Sequence, residues 1–113
     1  MPYINVNYSS EISPEQEESI KSALGTAISA LGKSESWLMI GFEANTPMYF
    51  KGEKSEKIAF VEISLFGDAS KSAYDKMTAE VCSILNKSLG VPPDKVYVKY
   101  SPTDVWGWNG GNF

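Results

Sequence analysis

The first two residues, Met1 and Pro2, are where this sequence most clearly offers chemistry. Removal of Met1, which the small ring of Pro2 permits, would leave a secondary amine joined directly to an alternating segment that ends at Tyr8. An α-amino group ordinarily titrates at about 7.7–8.0, so burial or a nearby cation needs to lower its pKa only slightly to give a neutral base at pH 7. The start of the chain therefore predicts a general base held by a strand, although many chains begin Met-Pro without any catalytic role.

Two residue types are missing, and their absence narrows the chemistry. The sequence contains no histidine, and all ten basic residues are lysine. Ser-His-Asp and Cys-His nucleophile systems and the commonest zinc sites are thereby excluded, as are bidentate arginine clamps. We expect neither a metal nor a cofactor. With a net charge of −4 and a pI near 4.8, nucleic acid is not an expected partner.

Length and composition predict one folded domain over residues 1–113. Hydrophobic residues make up 42% of the chain and charged residues 21%, a balance typical of globular proteins. No apolar run approaches the roughly 20 residues of a membrane span, and no signal peptide is visible. We expect a cytoplasmic protein, and secretion without a signal peptide stays open. The lone cysteine, Cys82, falls in an apolar helical pattern and is expected to be a buried hydrophobe.

Hydrophobic periodicity predicts four main strands and two helices. The segment Ser13–Gln16 carries the signals of a helix start: a Ser cap, Pro at the first position and a Gln that can close a capping box. Gly32 is a natural helix stop, and Lys33 stands just beyond it, where a cation is favoured. The predicted elements are a strand ending at Tyr8, a helix over Pro14–Leu31, a strand over Trp37–Phe42 buried on both faces, a strand over Ile58–Phe66, a helix over Ser70–Leu89 and a strand over Lys95–Tyr100.

These elements form a repeat, because each half of the chain reads strand, helix, strand and each helix ends in a Leu-Gly pair, Leu31-Gly32 or Leu89-Gly90. Right-handed crossovers place both helices on the same face of one sheet. The expected fold class is therefore α+β, with two βαβ repeats forming a four-stranded sheet and two helices on one face. The other face, with Phe60 and Phe66, would be exposed in a monomer, so we expect a homo-oligomer.

Several short motifs occur in a characteristic order along the whole chain. They are Met1-Pro2, Leu31-Gly32-Lys33 four residues before an aromatic, Pro92-Pro93-Asp94-Lys95-Val96-Tyr97, and Trp106-Gly107-Trp108-Asn109-Gly110 before Phe113. Each is weak alone, but together the sequence resembles the macrophage migration inhibitory factor family of the tautomerase superfamily.

The resemblance implies a homotrimer in which three sheets line a central barrel and three active sites lie at the subunit interfaces. It implies these site residues: Pro2 as the catalytic base, Lys33 at the substrate's carboxylate or oxygen, the backbone N–H of Phe66, Tyr97 from the neighbouring subunit, and Trp108 and Phe113 around the pocket mouth. The activities implied are keto–enol tautomerisation of phenylpyruvate-type acids and of D-dopachrome derivatives, and animal members also act as cytokines.

This sequence departs from the family pattern at several positions. Ile58 and Val61 stand where some vertebrate members have a Cys-x-x-Cys pair, so a thiol oxidoreductase activity is not expected. Phe66 makes a bulkier wall than the usual Ile, and Trp37 replaces a common Tyr. Lys99 replaces the Asn of animal members. It is interpreted either as a second substrate-binding cation or as a solvated lysine on a strand.

Two classes of function remain in view. The first is a cofactor-independent tautomerase, an isomerase acting on a small aromatic 2-oxo acid, without membrane or nucleic-acid partners. The alternative is a secreted cytokine or host-modulating protein that binds a receptor and whose tautomerase activity is secondary. A dehalogenase or hydratase is less favoured, because those relatives depend on arginine, which this chain lacks.

Overall fold

This computed structural model describes the whole chain, Met1–Phe113. The four long strands and two helices predicted from periodicity are present, and two short hairpins are added to them. In chain order the elements are β1 (Pro2–Tyr8), α1 (Pro14–Ala27), β2 (Met39–Glu43), β3 (Tyr49–Phe50), β4 (Glu53–Lys54), β5 (Ala59–Phe66), α2 (Lys71–Leu89), β6 (Val96–Thr103), β7 (Gly107–Trp108) and β8 (Gly111–Asn112).

The main sheet has the strand order β2-β1-β5-β6. The outer pairs, β1 with β2 and β5 with β6, are parallel, while the central pair β1 with β5 is antiparallel. Each parallel pair is connected through a helix, as a βαβ unit requires. The α+β class and the two βαβ repeats predicted from the sequence are therefore confirmed.

One face of this sheet forms the hydrophobic core. Along β1 and β5 every second side chain is buried, and the buried ones pack against α1 and α2. Burial of each such aliphatic side chain is worth about 1.5–3 kcal/mol. The alternate side chains, including Asn5, Phe60 and Glu62, lie half-buried on the face without helices. That face therefore mixes aromatic and polar side chains and is left uncovered in a single chain.

The helix starts follow the predicted capping chemistry. The Ser13 hydroxyl accepts a hydrogen bond from the Gln16 N–H at 3.1 Å, and the Gln16 side chain accepts one from the Ser13 N–H at 2.9 Å. This is the reciprocal capping box that satisfies N–H groups left free at a helix start. Ser70 caps α2 with one half of this arrangement, since its hydroxyl accepts from the Ala73 N–H and Ala73 has no polar side chain to return a bond. Neither helix is both long and apolar enough to cross a membrane.

The end of the first helix differs from the prediction. The α-helix stops at Ala27, and Ile28–Leu31 continues as a 3₁₀-helix. A tighter last turn is a common way to satisfy the final carbonyls of a helix. Gly32 follows with φ of 72°, a left-handed conformation that glycine adopts without steric cost. The chain therefore leaves the helix at Gly32 as expected, and Lys33 emerges towards the end of β5.

Three further expectations need correction. Trp37 lies in a 3₁₀ turn, Glu35–Trp37, rather than in a strand, and β2 begins only at Met39. Nor is β2 buried on both faces, because it is an edge strand and Met39 is 67% exposed. Cys82 is only half-buried, and this partial burial raises the pKa of its thiol. A thiol with a raised pKa is a poor nucleophile, so the expected inert role stands.

Candidate active site

Pro2 lies where β1 begins, next to the end of β5. The antiparallel register places Pro2 opposite Leu65, and Pro2 is buried. One residue further along β5, the Phe66 N–H donates a hydrogen bond to the Met1 carbonyl at 3.0 Å. The Phe66 N–H, the backbone donor next to Pro2, is therefore already hydrogen-bonded to the Met1 carbonyl.

Lys33 is held at the same residue from the other side. Its Nζ donates to the Phe66 carbonyl at 2.7 Å. An ammonium has three donor hydrogens, so this bond fixes the position of the charge while leaving donors for another acceptor. Phe66 therefore supplies a backbone N–H donor next to the start of the chain, and its carbonyl holds the Lys33 ammonium nearby.

The electrostatic environment at this point disfavours a protonated amine. The pKa of the Met1 α-amino group lies below its ordinary value, first because of partial burial and second because of the nearby charge of Lys33. Both effects act on the charged form of an amine: burial removes solvation and a like charge repels. The start of β1 is therefore a place where an amine is kept neutral more readily than in water.

Four aromatic rings form a continuous wall beside Lys33. The ring of Phe66 lies 5.6 Å from that of Phe113, and Phe113 stacks on Trp108 at 6.5 Å with an interplanar angle of 9°. Trp108 in turn meets Trp37 edge to face at 5.2 Å. The C-terminal tail therefore packs against the end of β5 and the Trp37 turn through its aromatic rings. Even so, Trp108 is 51% and Phe113 57% exposed, so the wall remains accessible.

Two predicted site residues lie away from this cluster in the single chain. Tyr97 pairs with Phe60 on β5, five residues before Leu65 opposite Pro2, which corresponds to roughly 17 Å along the strand. Lys99 lies on the same open face, with its Nζ 3.9 Å from a carboxylate oxygen of Glu62. The Lys99 side chain is largely exposed and that of Glu62 is about half exposed, so this long pair contributes little to stability. One chain brings Pro2, Lys33, Phe66, Trp37, Trp108 and Phe113 together, but not Tyr97 or Lys99.

The sequence analysis missed two contacts. The first is the hydrogen bond from Phe66 to Met1, which no local pattern signals because the residues are distant in the chain. The second is the edge-to-face contact between Phe50 and Tyr97, whose ring centroids are 5.4 Å apart. It places the β3–β4 hairpin next to Tyr97 and so makes that hairpin part of any surface to which Tyr97 contributes.

The main surface concavity of the single chain lies away from Pro2, but its lining does not favour it as a catalytic site. A broad concavity beside the start of α1 is lined by Glu11, Pro14 and Asn45, among others, and contains neither Pro2 nor Lys33. Its carboxylate, Glu11, has no convergent partner there. No group of three or more cysteine or carboxylate side chains is arranged to hold a metal ion. The convergence of amine, N–H and ammonium at Phe66 is therefore the strongest candidate site.

The fold agrees with comparisons to known proteins. The family model described as Macrophage migration inhibitory factor (MIF) matches residues 1–113. A macrophage migration inhibitory factor of Xenopus laevis is 28% identical over 86 residues, 74% of each chain. The crystal structure of Leishmania major MIF2 superposes with a TM-score of 0.93 at 30% identity, covering 100% of this chain and 97% of that one.

A macrophage migration inhibitory factor of Toxoplasma gondii also superposes, with a TM-score of 0.89 at 23% identity, covering 98% of this chain and 99% of that one. At 23% identity this superposition shows that the fold is shared and nothing more. The family match, in contrast, runs from the Met-Pro start to the terminal Phe113. The chain therefore belongs to the macrophage migration inhibitory factor family.

Proposed function

We propose that the chain, once Met1 is removed, is a cofactor-independent keto–enol tautomerase that uses the Pro2 nitrogen as its base. Its substrates are phenylpyruvate-type 2-oxo acids and D-dopachrome derivatives. The observation that carries the proposal is the hydrogen bond from the Phe66 N–H to the Met1 carbonyl. Removal of Met1 frees that N–H and converts the Pro2 amide nitrogen into a secondary amine. Base and hydrogen-bond donor thus arise together, side by side.

The reaction needs only one proton to move. The Pro2 nitrogen takes a proton from the carbon next to the ketone, and the C–H electron pair becomes the new C=C bond. The former C=O π electrons move to oxygen, where the negative charge is met by the Phe66 N–H and by Lys33. The protonated Pro2 then returns its proton to that oxygen to give the enol. No external oxidant or reductant is required, and one base of suitable pKa suffices.

Lys33 supports this chemistry in two ways. Its ammonium attracts the carboxylate of a 2-oxo acid and stabilises charge on the developing enolate oxygen. It also disfavours protonation of a neighbouring amine: in the unprocessed chain the pKa of the Met1 amino group is lowered first by partial burial and second by the charge of Lys33. Because its Nζ is tied to the Phe66 carbonyl, the charge is positioned before substrate arrives.

We further propose that the working particle is a homotrimer. Half of the sheet's side chains face away from the helices, and both sheet edges, β2 and β6, lack a neighbouring strand in the single chain. Tyr97 is exposed and lies too far along the sheet to reach Pro2 of its own chain. A neighbouring copy that packs on this face can supply Tyr97, with Lys99 two residues further along the same strand.

A secreted signalling or host-modulating role is the second candidate, and family membership is the observation that favours it. It predicts that the purified protein binds an animal receptor ectodomain. The two candidate functions can be distinguished by testing the Pro2→Gly variant both for tautomerase turnover and for receptor binding. Loss of turnover with intact receptor binding would assign the two functions to different surfaces.

The first prediction concerns Pro2. Mass spectrometry of the intact protein should show that Met1 is absent, and Pro2→Gly should lower kcat/KM for phenylpyruvate by about 100-fold, the scale of general-base catalysis. Pro14→Gly, which removes an exposed proline at the start of α1, is the matched control and should retain the wild-type rate. Retained Met1, or equal rates for Pro2→Gly and wild type, would refute the base assignment.

The second prediction concerns Lys33. Its removal in Lys33→Gln should raise the pKa of the Pro2 amine, because a repelling charge is lost, so the acidic limb of the kcat/KM profile should move to higher pH. The KM for anionic substrates should rise about tenfold. Lys57→Gln is the control, since the Lys57 Nζ also donates to a backbone carbonyl, that of Leu89 at 2.7 Å, but lies outside the site. Identical pH profiles for the two variants would contradict a role for Lys33 in the site.

The third prediction concerns the supply of Tyr97 by a neighbour. Homotrimers of Pro2→Gly and of Tyr97→Ala should each be impaired. Trimers refolded from an equal mixture should regain about a quarter of the wild-type rate, the share of interfaces that pair an intact Pro2 with an intact Tyr97. Light scattering should show particles of three chains. A mixture no more active than its parents would place Tyr97 outside the neighbour's site.

A further inference from the structure

We propose that the side chain of Phe66 determines substrate choice, because it holds the terminal residue Phe113 at the reaction site and so builds a pocket for an aryl group. The inference rests on the proposed tautomerase function and deepens it. It gives the ring of Phe66 a role separate from that of its backbone. The substrates it favours are planar aryl 2-oxo acids over alkyl 2-oxo acids of the same charge.

Phe66 contacts the site through three different groups. Its N–H meets the Met1 carbonyl, its carbonyl holds the Lys33 ammonium, and its ring contacts Phe113 at 5.6 Å with an interplanar angle of 43°. The backbone groups do not depend on which side chain stands at this position. Only the ring contact does, so a substitution at Phe66 can change the wall while leaving the donor and the cation in place.

Phe113 has few other restraints. It is the last residue, it is 57% exposed, and its backbone is tied by one hydrogen bond, from its N–H to the Trp106 carbonyl at 3.0 Å. Beyond that bond, the ring contacts that fix its side chain are those with Phe66 and Trp108. Removal of the Phe66 ring would leave Phe113 held from one side only. The position of the terminal ring therefore depends on Phe66.

The wall so formed suits a flat group. The rings of Phe113 and Trp108 are nearly parallel, with an interplanar angle of 9°. Trp37 contacts Trp108 edge to face at the end of the wall. A 2-oxo acid bound through Lys33 and the Phe66 N–H would have the substituent on its reacting carbon within reach of the wall, because the ring that begins the wall belongs to Phe66 itself. Aromatic pairs gain stabilisation beyond the area they bury, and an alkyl substituent cannot obtain that gain.

The test compares two substrates in one assay. Exchange of the C3 hydrogens for deuterium, followed by proton NMR, reports enolisation of phenylpyruvate and of 2-oxobutanoate alike. In Phe66→Ile the ratio of kcat/KM for the aryl over the alkyl acid should fall about 3- to 10-fold, mainly through a higher KM for phenylpyruvate. Phe42→Ile, which replaces a half-buried phenylalanine on β2 that packs against the core, should leave the ratio unchanged.

A second variant tests the coupling. Phe113→Leu changes a largely exposed ring and should lower the same ratio, and the double variant should lower it no further than either single one, because both changes remove one contact. An unchanged ratio in Phe66→Ile, or effects that multiply in the double variant, overturns the inference while leaving the tautomerase proposal intact. Absence of exchange with both substrates in the wild-type protein overturns the proposed function and the inference together.

Discussion

The antiparallel pairing of β1 with β5 is the constraint on which the candidate site depends. It sets Pro2 opposite Leu65 and brings the Met1 carbonyl to the Phe66 N–H. A slip of one residue would turn Ile4 and its buried neighbours away from the helices, at a cost of several buried aliphatic side chains. Packing of the hydrophobic core therefore fixes the register of β1 against β5, and this register fixes the position of the terminal amine. Stability and chemistry depend on the same strand pairing.

The internal repeat of the fold explains why only one such site arises in each chain. The two halves present similar strand starts: the Phe66 N–H donates to the Met1 carbonyl at 3.0 Å, and at the opposite end of the sheet the Ser9 N–H donates to the Ile58 carbonyl at 3.1 Å. Ile58 is an internal residue, so no processing event can turn its neighbour's amide into an amine. The same backbone geometry occurs at both ends, but only at the Met1 end can removal of one residue expose an amine.

Features set by local interactions could be predicted from the sequence, and those set by distant contacts could not. The cap at Ser13 and the stop at Gly32 follow from residues within one turn, and both are observed. Trp37 is an aromatic residue of a type common in strands, yet it lies in a 3₁₀ turn. There it contacts Trp108, which is too distant in the chain for a local pattern to predict the contact. Likewise β6 runs through Pro102, which an edge strand tolerates although proline ordinarily marks a break. Pro2 was inferred from the start of the sequence itself and the other site residues from family resemblance, and the roles of all of them stay predictions.

The most direct test of this account is the pKa of the Pro2 nitrogen in the processed protein, measured by NMR titration after labelling with ¹⁵N-proline. The account predicts a titrating amine signal whose pKa lies below that of a free prolyl amine, because partial burial and the charge of Lys33 both oppose protonation. A larger fraction of the amine should then be neutral at pH 7 than in a free prolyl amine. A nitrogen that titrates at the ordinary value, or an amide signal that does not titrate because Met1 is still attached, would contradict it.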